Sequence, residues 1–472
     1  MLHGVRTLLI LLSLTVALPA LAAPPLERIE IDATAAPGVD GLPSCKTQVA
    51  AMESNPSKPG GKTYEGSLTK PDPTGMPQIE VMDPAQLPGY DAAALPPQPL
   101  EGPPEVLARI ADVLRRGDAD EAVRLSFWGA SHTGGDFWTG RIRHALQERW
   151  GDGGHGFVLP AALYRGHRAS DINLCRTDGW MSDWHSKANA HKDGMLGFGG
   201  MSVASGDPRD FGWVETARSV KYGRSVSRFE VYVLKQRGGG TLQLTVDGGE
   251  PVAVATGTDG EPSMVRVTVR TSPGPHRLQV APAGDGPVRV FGVSMEAEGT
   301  GVIVDSIGIR GREARDWLAW EPTQFEQGLA ALAPDLVVLA YGTNEAADQG
   351  YTMEEYRADL TAVLTRLRVA APADEVPCVL AGPSDRGWKV GGERYAIWDR
   401  TGPVAQVQRE VAAEHGCAFW DWQAAMGGPG SMIGWYYADP QLAAGDLIHH
   451  TGKGYRWIAD RFLAALEGAG SD

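Results

Sequence analysis

Between residues 228 and 293 six short apolar runs follow one another with no helical period among them. They are Arg228–Leu234, Thr241–Val246, Val252–Ala255, Val265–Val269, His276–Val280 and Val288–Val293. Turn sequences separate them: Gly238-Gly239-Gly240, Asp247-Gly248-Gly249, Asp259-Gly260, Ser272-Pro273-Gly274 and Gly284-Asp285-Gly286. Short strands at even spacing with turn residues between them predict an antiparallel β-sandwich. Residues 168–215, just before, are rich in Gly and Trp and irregular in pattern.

On both sides of this stretch the rhythm is that of an α/β protein. Leu107, Ile110, Ala111 and Leu114 follow helical spacing behind Pro103-Pro104, with proline suited to a first helical turn. Val123–Gly129 reads as a strand that turns tightly into a helix over 137–150. After residue 301, strands at 302–304, 336–340, 376–381 and 417–422 alternate with helices at 312–332, 353–369, 400–415 and 454–467. Leu336–Ala340 is apolar throughout, as a parallel strand covered on both faces requires. The expected fold is an α/β unit with a parallel sheet, split into 104–167 and 301–472 by an inserted β-sandwich at 168–300.

The ends of the chain and its charge narrow the setting. Residues 1–22 read as a secretory signal peptide: Arg6 supplies the positive start, Leu8–Leu18 the apolar core and Ala20-Leu21-Ala22 the cleavage rule. The apolar stretch is too short to span a bilayer, so export to the periplasm or beyond, without a membrane span after signal removal, is expected. Residues 23–103 hold nearly half of the 33 prolines and predict an extended arm with little structure of its own. A net charge of −15 argues against a general nucleic-acid binder and against electrostatic attachment to anionic membranes.

Four cysteines, Cys45, Cys175, Cys378 and Cys417, are too few and scattered for a disulfide scaffold and form no C-x-x-C zinc pair. If the strands opened by Cys378 and Cys417 are neighbours, those two can meet, which leaves Cys45 with Cys175; four separate thiols is the alternative.

Four clusters fall at the C-terminal ends of the expected strands, the edge where open parallel sheets bind ligands. In Gly129-Ala130-Ser131-His132-Thr133 a hydroxyl stands where strand turns to helix, beside N–H groups that suit an anion. Ser306-Ile307-Gly308-Ile309-Arg310-Gly311 is a glycine loop whose backbone can approach closely. Tyr341-Gly342-Thr343-Asn344-Glu345 can aim an amide NH₂ at a developing oxyanion. In Asp446-Leu447-Ile448-His449 three-residue spacing can fold the carboxylate onto its own imidazole, leaving Nε2 free to take a proton from Ser131. His450 should point elsewhere and serve the structure.

In this order the clusters resemble the SGNH (GDSL-type) hydrolases, with an SGNH-type α/β/α catalytic domain. The resemblance covers about half of the chain. It implies Ser131 as nucleophile, His449 as general base and Asp446 as its orienting acid. The Ser131 N–H, the Gly311 N–H and the Asn344 amide would form the oxyanion hole, Gly311 matching the glycine block by spacing better than Gly308. One position departs: the family's Gly-Asp-Ser is Gly129-Ala130-Ser131 here, so the loop must find other support, and an inactive relative is one reading. The stretch Ser131–Gly140, the Trp150–Phe157 segment and the β insert resemble exported peptidoglycan O-acetylesterases, whose insert is similar to a carbohydrate-binding module.

The expected protein is an exported serine esterase acting on O-acetyl groups of a polysaccharide, peptidoglycan first, through an acetyl-enzyme, with no cofactor and no metal. The other readings are an esterase or acetyltransferase on another glycan or small ester, and a non-catalytic polysaccharide binder. Sugar contacts are expected from Trp138, Trp180, Trp184 and Trp213, because indole faces stack on sugar C–H surfaces.

Overall fold

The computed structural model describes residues 26–53, 75–161, 167–184, 193–217 and 221–469, without the side chains of 50–53 and 183–184. The signal-peptide reading of residues 1–22 lies outside the described residues.

Five parallel strands form the central sheet, in the order Gly301–Gly308, Ala122–Gly129, Leu336–Ala340, Cys378–Ala381 and Ala418–Trp420. Numbered by their place in the chain this is 2-1-3-4-5, so the winding reverses at the strand Ala122–Gly129. A reversal of that kind opens a crevice at the C-terminal end of the first strand, and Ser131 stands just beyond it.

Period-two alternation gives the sheet two apolar faces. Leu125, Phe127, Val338, Val379 and Trp420 join one buried cluster with Ile110, Ile142 and Phe462 of the helices Pro104–Asp118, Trp138–Trp150 and Gly452–Glu467. Trp128, Leu339, Leu380 and Phe419 join the other with Phe325, Leu360 and Val404 of Pro322–Leu332, Met353–Ala370 and Thr401–Glu414. The expected helix over 312–332 is two elements, a 3-10 turn at Ala314–Ala319 and then Pro322–Leu332. The break falls at Glu321-Pro322, where proline begins the new helix and Glu321 caps it through Thr323 and Gln324.

The middle of the chain builds two further sheets. One orders Glu27–Asp32, Ser263–Gly274, Val226–Lys235, Val288–Glu296, Met201–Ser205 and Met181–Trp184, with Gly156–Val158 also paired to Val288–Glu296. The other orders Val252–Ala255, Thr241–Val246, Arg277–Pro282, Gly212–Thr216 and Ile172–Arg176. Apolar residues of both, such as Val231 and Val267 from one and Leu244 and Val280 from the other, share a buried cluster. In the inserted part of the chain strand pairing thus begins at Gly156, before residue 168, and the irregular 168–215 stretch contributes four strands among its described residues. Glycine and tryptophan hid their alternation.

The proline-rich segment has more order than its composition suggests. Glu27–Asp32 pairs in parallel with Ser263–Gly274. The helix Cys45–Glu53 is held by the Cys45–Cys175 disulfide. Gln78–Glu80 completes a small sheet with Gly387–Gly391 and Arg394–Ile397. Cys378 and Cys417 are also bonded to each other, since their strands are neighbours.

A buried ionic cluster couples the β unit to the α/β unit. Arg124 donates to Asp305 through Nε and Nη2, each at 2.8 Å, to Glu296 at 2.8 Å and to Ser294 at 2.8 Å. Such a network is held by complete satisfaction of its donors, and removing one partner strands the others.

Candidate active site

The strand Ala122–Gly129 ends in a one-turn helix, Ser131–Gly134, closed by the Gly134 N–H on the Ala130 carbonyl at 2.9 Å. Two glycines make the turn possible. A Cβ on Gly129 would lie 2.4 Å from Thr133 Oγ1, and one on Gly308 would lie 2.2 Å from Gly134 N. The glycine at 308 is therefore needed to let the second strand pack against the serine turn. Gly311, beyond it, adopts a left-handed φ of 70° in open space.

Ala130 leaves the turn without a carboxylate of its own, and a largely buried set of side chains supports it. The Ser306 hydroxyl reaches the Thr133 carbonyl and Thr139 Oγ1, each at 2.8 Å. Thr139 donates to Asp136 at 2.8 Å, and Asp136 also takes the Arg143 guanidinium at 2.9 Å and the Ser170 N–H at 2.6 Å. Burial alone would raise the Asp136 pKa; Arg143 outweighs it and holds the carboxyl well below the usual range.

The late loop folds back as the spacing suggested. Leu447 takes a left-handed φ of 56°, a costly conformation for a branched residue. The loop is pinned there by Leu447 N–H on the Ala444 carbonyl and by Gly387 N–H on the Leu447 carbonyl at 2.9 Å. The twist brings Asp446 Oδ2 to 2.7 Å from His449 Nδ1, while Oδ1 accepts the backbone N–H groups of Ile448 and His449. Burial pushes the Asp446 pKa up, but its bonds from His449 prevail and keep it well below the carboxylate range. His449 Nε2 then lies 2.8 Å from Ser131 Oγ. A hydroxyl, an imidazole and an ionised carboxylate in this chain can deprotonate the hydroxyl as it attacks a carbonyl.

Asn344 donates to the Arg312 carbonyl at 2.7 Å. One amide hydrogen is used there, and the primary amide has a second. Glu345 fixes the same pair of loops: its carboxylate takes Ala314 N–H and Gly342 N–H, each at 2.8 Å. Burial raises Glu345 to about 7. Sequence reasoning gave Glu345 no role, because a buried carboxylate serving two backbone donors has no spacing signature.

His132, next to the serine, is buried and bridges Tyr455 OH at 2.8 Å and Ser384 Oγ at 3.1 Å. Burial first, then the neighbouring His449, hold it well below the usual imidazole pKa. His450 is buried against Trp422, Trp435 and Tyr455.

The tryptophan expectation is corrected. Trp138 is fully buried, edge-on to Phe127 with centroids 5.2 Å apart. Trp180 is buried, and Trp213 lies beneath Arg277 with its indole N–H on Gln48. None of the three offers a free face to a sugar; they fill space between layers. The side chain of Trp184 lies outside the described residues. Among the described residues no group of His, Cys, Asp and Glu is arranged to hold a metal, and no helix is long and apolar enough to cross a membrane.

Residues 279–457 match the GDSL-like lipase/acylhydrolase family. The match takes in the glycine, asparagine and Asp-x-x-His clusters and stops short of Ser131, which the β unit separates from them. A solved peptidoglycan O-acetylesterase is similar over 84% of this chain and 99% of its own, at 26% identity and a TM-score of 0.61. A family two carbohydrate esterase from Cellvibrio japonicus matches at 11% identity over 64% of this chain and 98% of its own, with a TM-score of 0.26. An acetyl xylan esterase matches at 18% identity over 35% of this chain and 80% of its own, also at 0.26. The last two carry no further argument. No curated protein matches the chain in sequence. With the family's late clusters in one segment and an esterase of the same architecture across most of its length, the chain carries a GDSL-like lipase/acylhydrolase domain and is a carboxylic ester hydrolase.

Proposed function

We propose that the protein is an exported serine esterase that removes O-acetyl groups from a polysaccharide, peptidoglycan first, and that an inserted β-sandwich divides its catalytic domain. The observation that carries the reading is the hydrogen-bonded chain from Ser131 to His449 to Asp446, with Asn344 tied to the glycine loop. The likeness to a peptidoglycan O-acetylesterase supports the substrate. The signal-like residues 1–22 and the two disulfides suit an oxidising compartment.

Ser131 Oγ attacks the acetyl carbonyl as its proton passes to His449 Nε2. Asp446 holds Nδ1 and stabilises the imidazolium. The oxyanion is received by the N–H groups of Ser131 and Gly311 and by the Asn344 amide. Collapse expels the sugar oxygen, which takes the proton from His449 and leaves an acetyl-enzyme. Water, deprotonated by His449, then attacks the acetyl group, and acetate leaves as Ser131 regains its proton. No step uses a metal, so a chelator is expected to leave the rate unchanged.

Acetate release from O-acetylated peptidoglycan tests the reading. Wild type is expected to release it and Ser131→Ala is not. Equal rates would refute the catalytic assignment. Release from acetylated xylan but not from peptidoglycan would refute the substrate.

A further inference from the structure

Arg386 is only 4% exposed, and among the described residues no carboxylate lies within ion-pair distance of it. Its Nε is buried without a hydrogen bond, and among the described residues its guanidinium meets only the Trp398 ring, 4.6 Å from the centroid. The adjacent carboxylate, Asp385, is turned away onto Gln423 Nε2 and Met432 N–H, each at 2.8 Å. Asp446 attracts Arg386 only at longer range, its oxygens being engaged by Ile448 and His449. Burial lowers the guanidinium to about 10, so it is charged at neutral pH. A buried charge whose neighbouring carboxylates are already engaged elsewhere is costly.

Its surroundings place it beside the loops that carry the candidate catalytic residues. The Gly387 N–H bonds the Leu447 carbonyl, inside the loop that carries Asp446 and His449. The Trp398 indole N–H bonds the Ala346 carbonyl at 2.8 Å, two residues beyond Asn344. Ser384, on the same loop as Arg386, reaches His132 beside the nucleophile. Arginine and indole thus sit between the base-bearing loop and the asparagine turn.

We propose that Arg386, backed by Trp398, is a subsite for a carboxylate of the substrate, so that the enzyme selects esters on an anionic glycan over those on a neutral one. The inference rests on the acetyl-glycan reading above and adds to it the charge of the substrate. A guanidinium over an indole ring still has outer N–H groups in the fork geometry that a carboxylate matches. The wall polymer carries carboxyl groups on its sugar-linked peptides, whereas acetylated xylan backbone sugars carry none.

The test compares soluble O-acetylated muroglycan as prepared with the same material after carbodiimide amidation of its carboxyl groups. Wild type is expected to show a kcat/KM about tenfold higher on the carboxylate form, mainly through KM, the worth of one charge-assisted pair. In Arg386→Gln that ratio should fall towards one, and Arg386→Lys should keep part of it. A wild-type rate unaffected by amidation overturns the subsite and needs no variant. So does an Arg386→Gln enzyme that loses the same factor on both forms, because a structural role would do that. Wild type inactive on both glycans, yet active on p-nitrophenyl acetate, overturns the glycan reading and the subsite with it. That pattern differs from equal activity on both forms, which removes the subsite alone.

Discussion

Ser131 Oγ and His449 Nε2 meet at 2.8 Å across 318 positions of chain. Their meeting depends on two distant backbone features, the one-turn helix after the first strand and the left-handed Leu447. Asp446→Asn should therefore lower kcat by roughly 10²–10⁴, because the wrong imidazole tautomer is then held toward Ser131. Ser131→Ala should lower it by at least ~10³. Both variants should melt close to wild type, since neither side chain fills the core. Acetate release and a melting curve on the same samples decide this; a large loss of melting temperature would point to a structural role instead.

Asn344→Ala removes a donor proposed for the oxyanion and also its tie to the Arg312 carbonyl. The expected loss is about 10²–10³ in kcat with little change in KM, since the donor acts on the charge that develops in the transition state. A rise in KM at constant kcat would place Asn344 in substrate binding rather than in the hole.

Acid should destabilise the fold through its buried imidazoles. Burial first, then the nearby Arg143, draw His155 down from 6.5 to about 3. Burial and His449 do the same to His450. The native state then binds fewer protons than the unfolded chain, so each group's contribution is complete above pH 6.5 and is lost as pH falls toward 3. The slope is about 1.4 kcal/mol per pH unit per group. Glu345 and Asp385, raised by burial to about 7 and about 6, act in the opposite sense. A His155→Gln variant isolates the effect: its melting temperature should approach that of wild type as pH falls from 7.5 to 4.5. A gap independent of pH would rule this account out.

The two disulfides should differ in worth. In the chain-entropy limit a closure of 130 residues at Cys45–Cys175 contributes about 5 kcal/mol and one of 39 residues at Cys378–Cys417 about 4. Cys45→Ser with Cys175→Ser should lower the melting temperature more than Cys378→Ser with Cys417→Ser, and should spare esterase activity, since neither cysteine bonds to a residue of the Ser131–His449–Asp446 chain. Loss of activity without loss of stability would contradict this.

Much of the α/β unit was legible because its strands are uniformly apolar and its helices periodic. The runs at Leu336–Ala340 and Met353–Ala370 fall within a residue of their expected positions. The four clusters at the strand ends were legible because reactive side chains next to glycine are rare at that edge. Three kinds of feature were not. Leu447 has no residue-type signal for a left-handed φ, since the surrounding bonds impose it. Arg386 and Trp398 meet through folding alone. The tryptophans misled because composition cannot tell a wall-filling indole from an open one, and Trp138 fills the space between sheet and helices.

Glu27–Asp32 pairs in parallel with Ser263–Gly274, Glu27 opposite Val265. The leading strand of the described chain is therefore made long before its partner. At 5–20 residues per second the interval is on the order of ten to fifty seconds. Through that interval it is an unpaired edge, open to pairing with other nascent copies. Its sequence sets Glu27, Arg28, Glu30 and Asp32 around Ile29 and Ile31, and charges so placed are what keep an orphan strand from self-association. The acidity of this segment, which contributes nothing to the ester chemistry, is then expected to hinder self-pairing of the strand until the β unit exists to receive it.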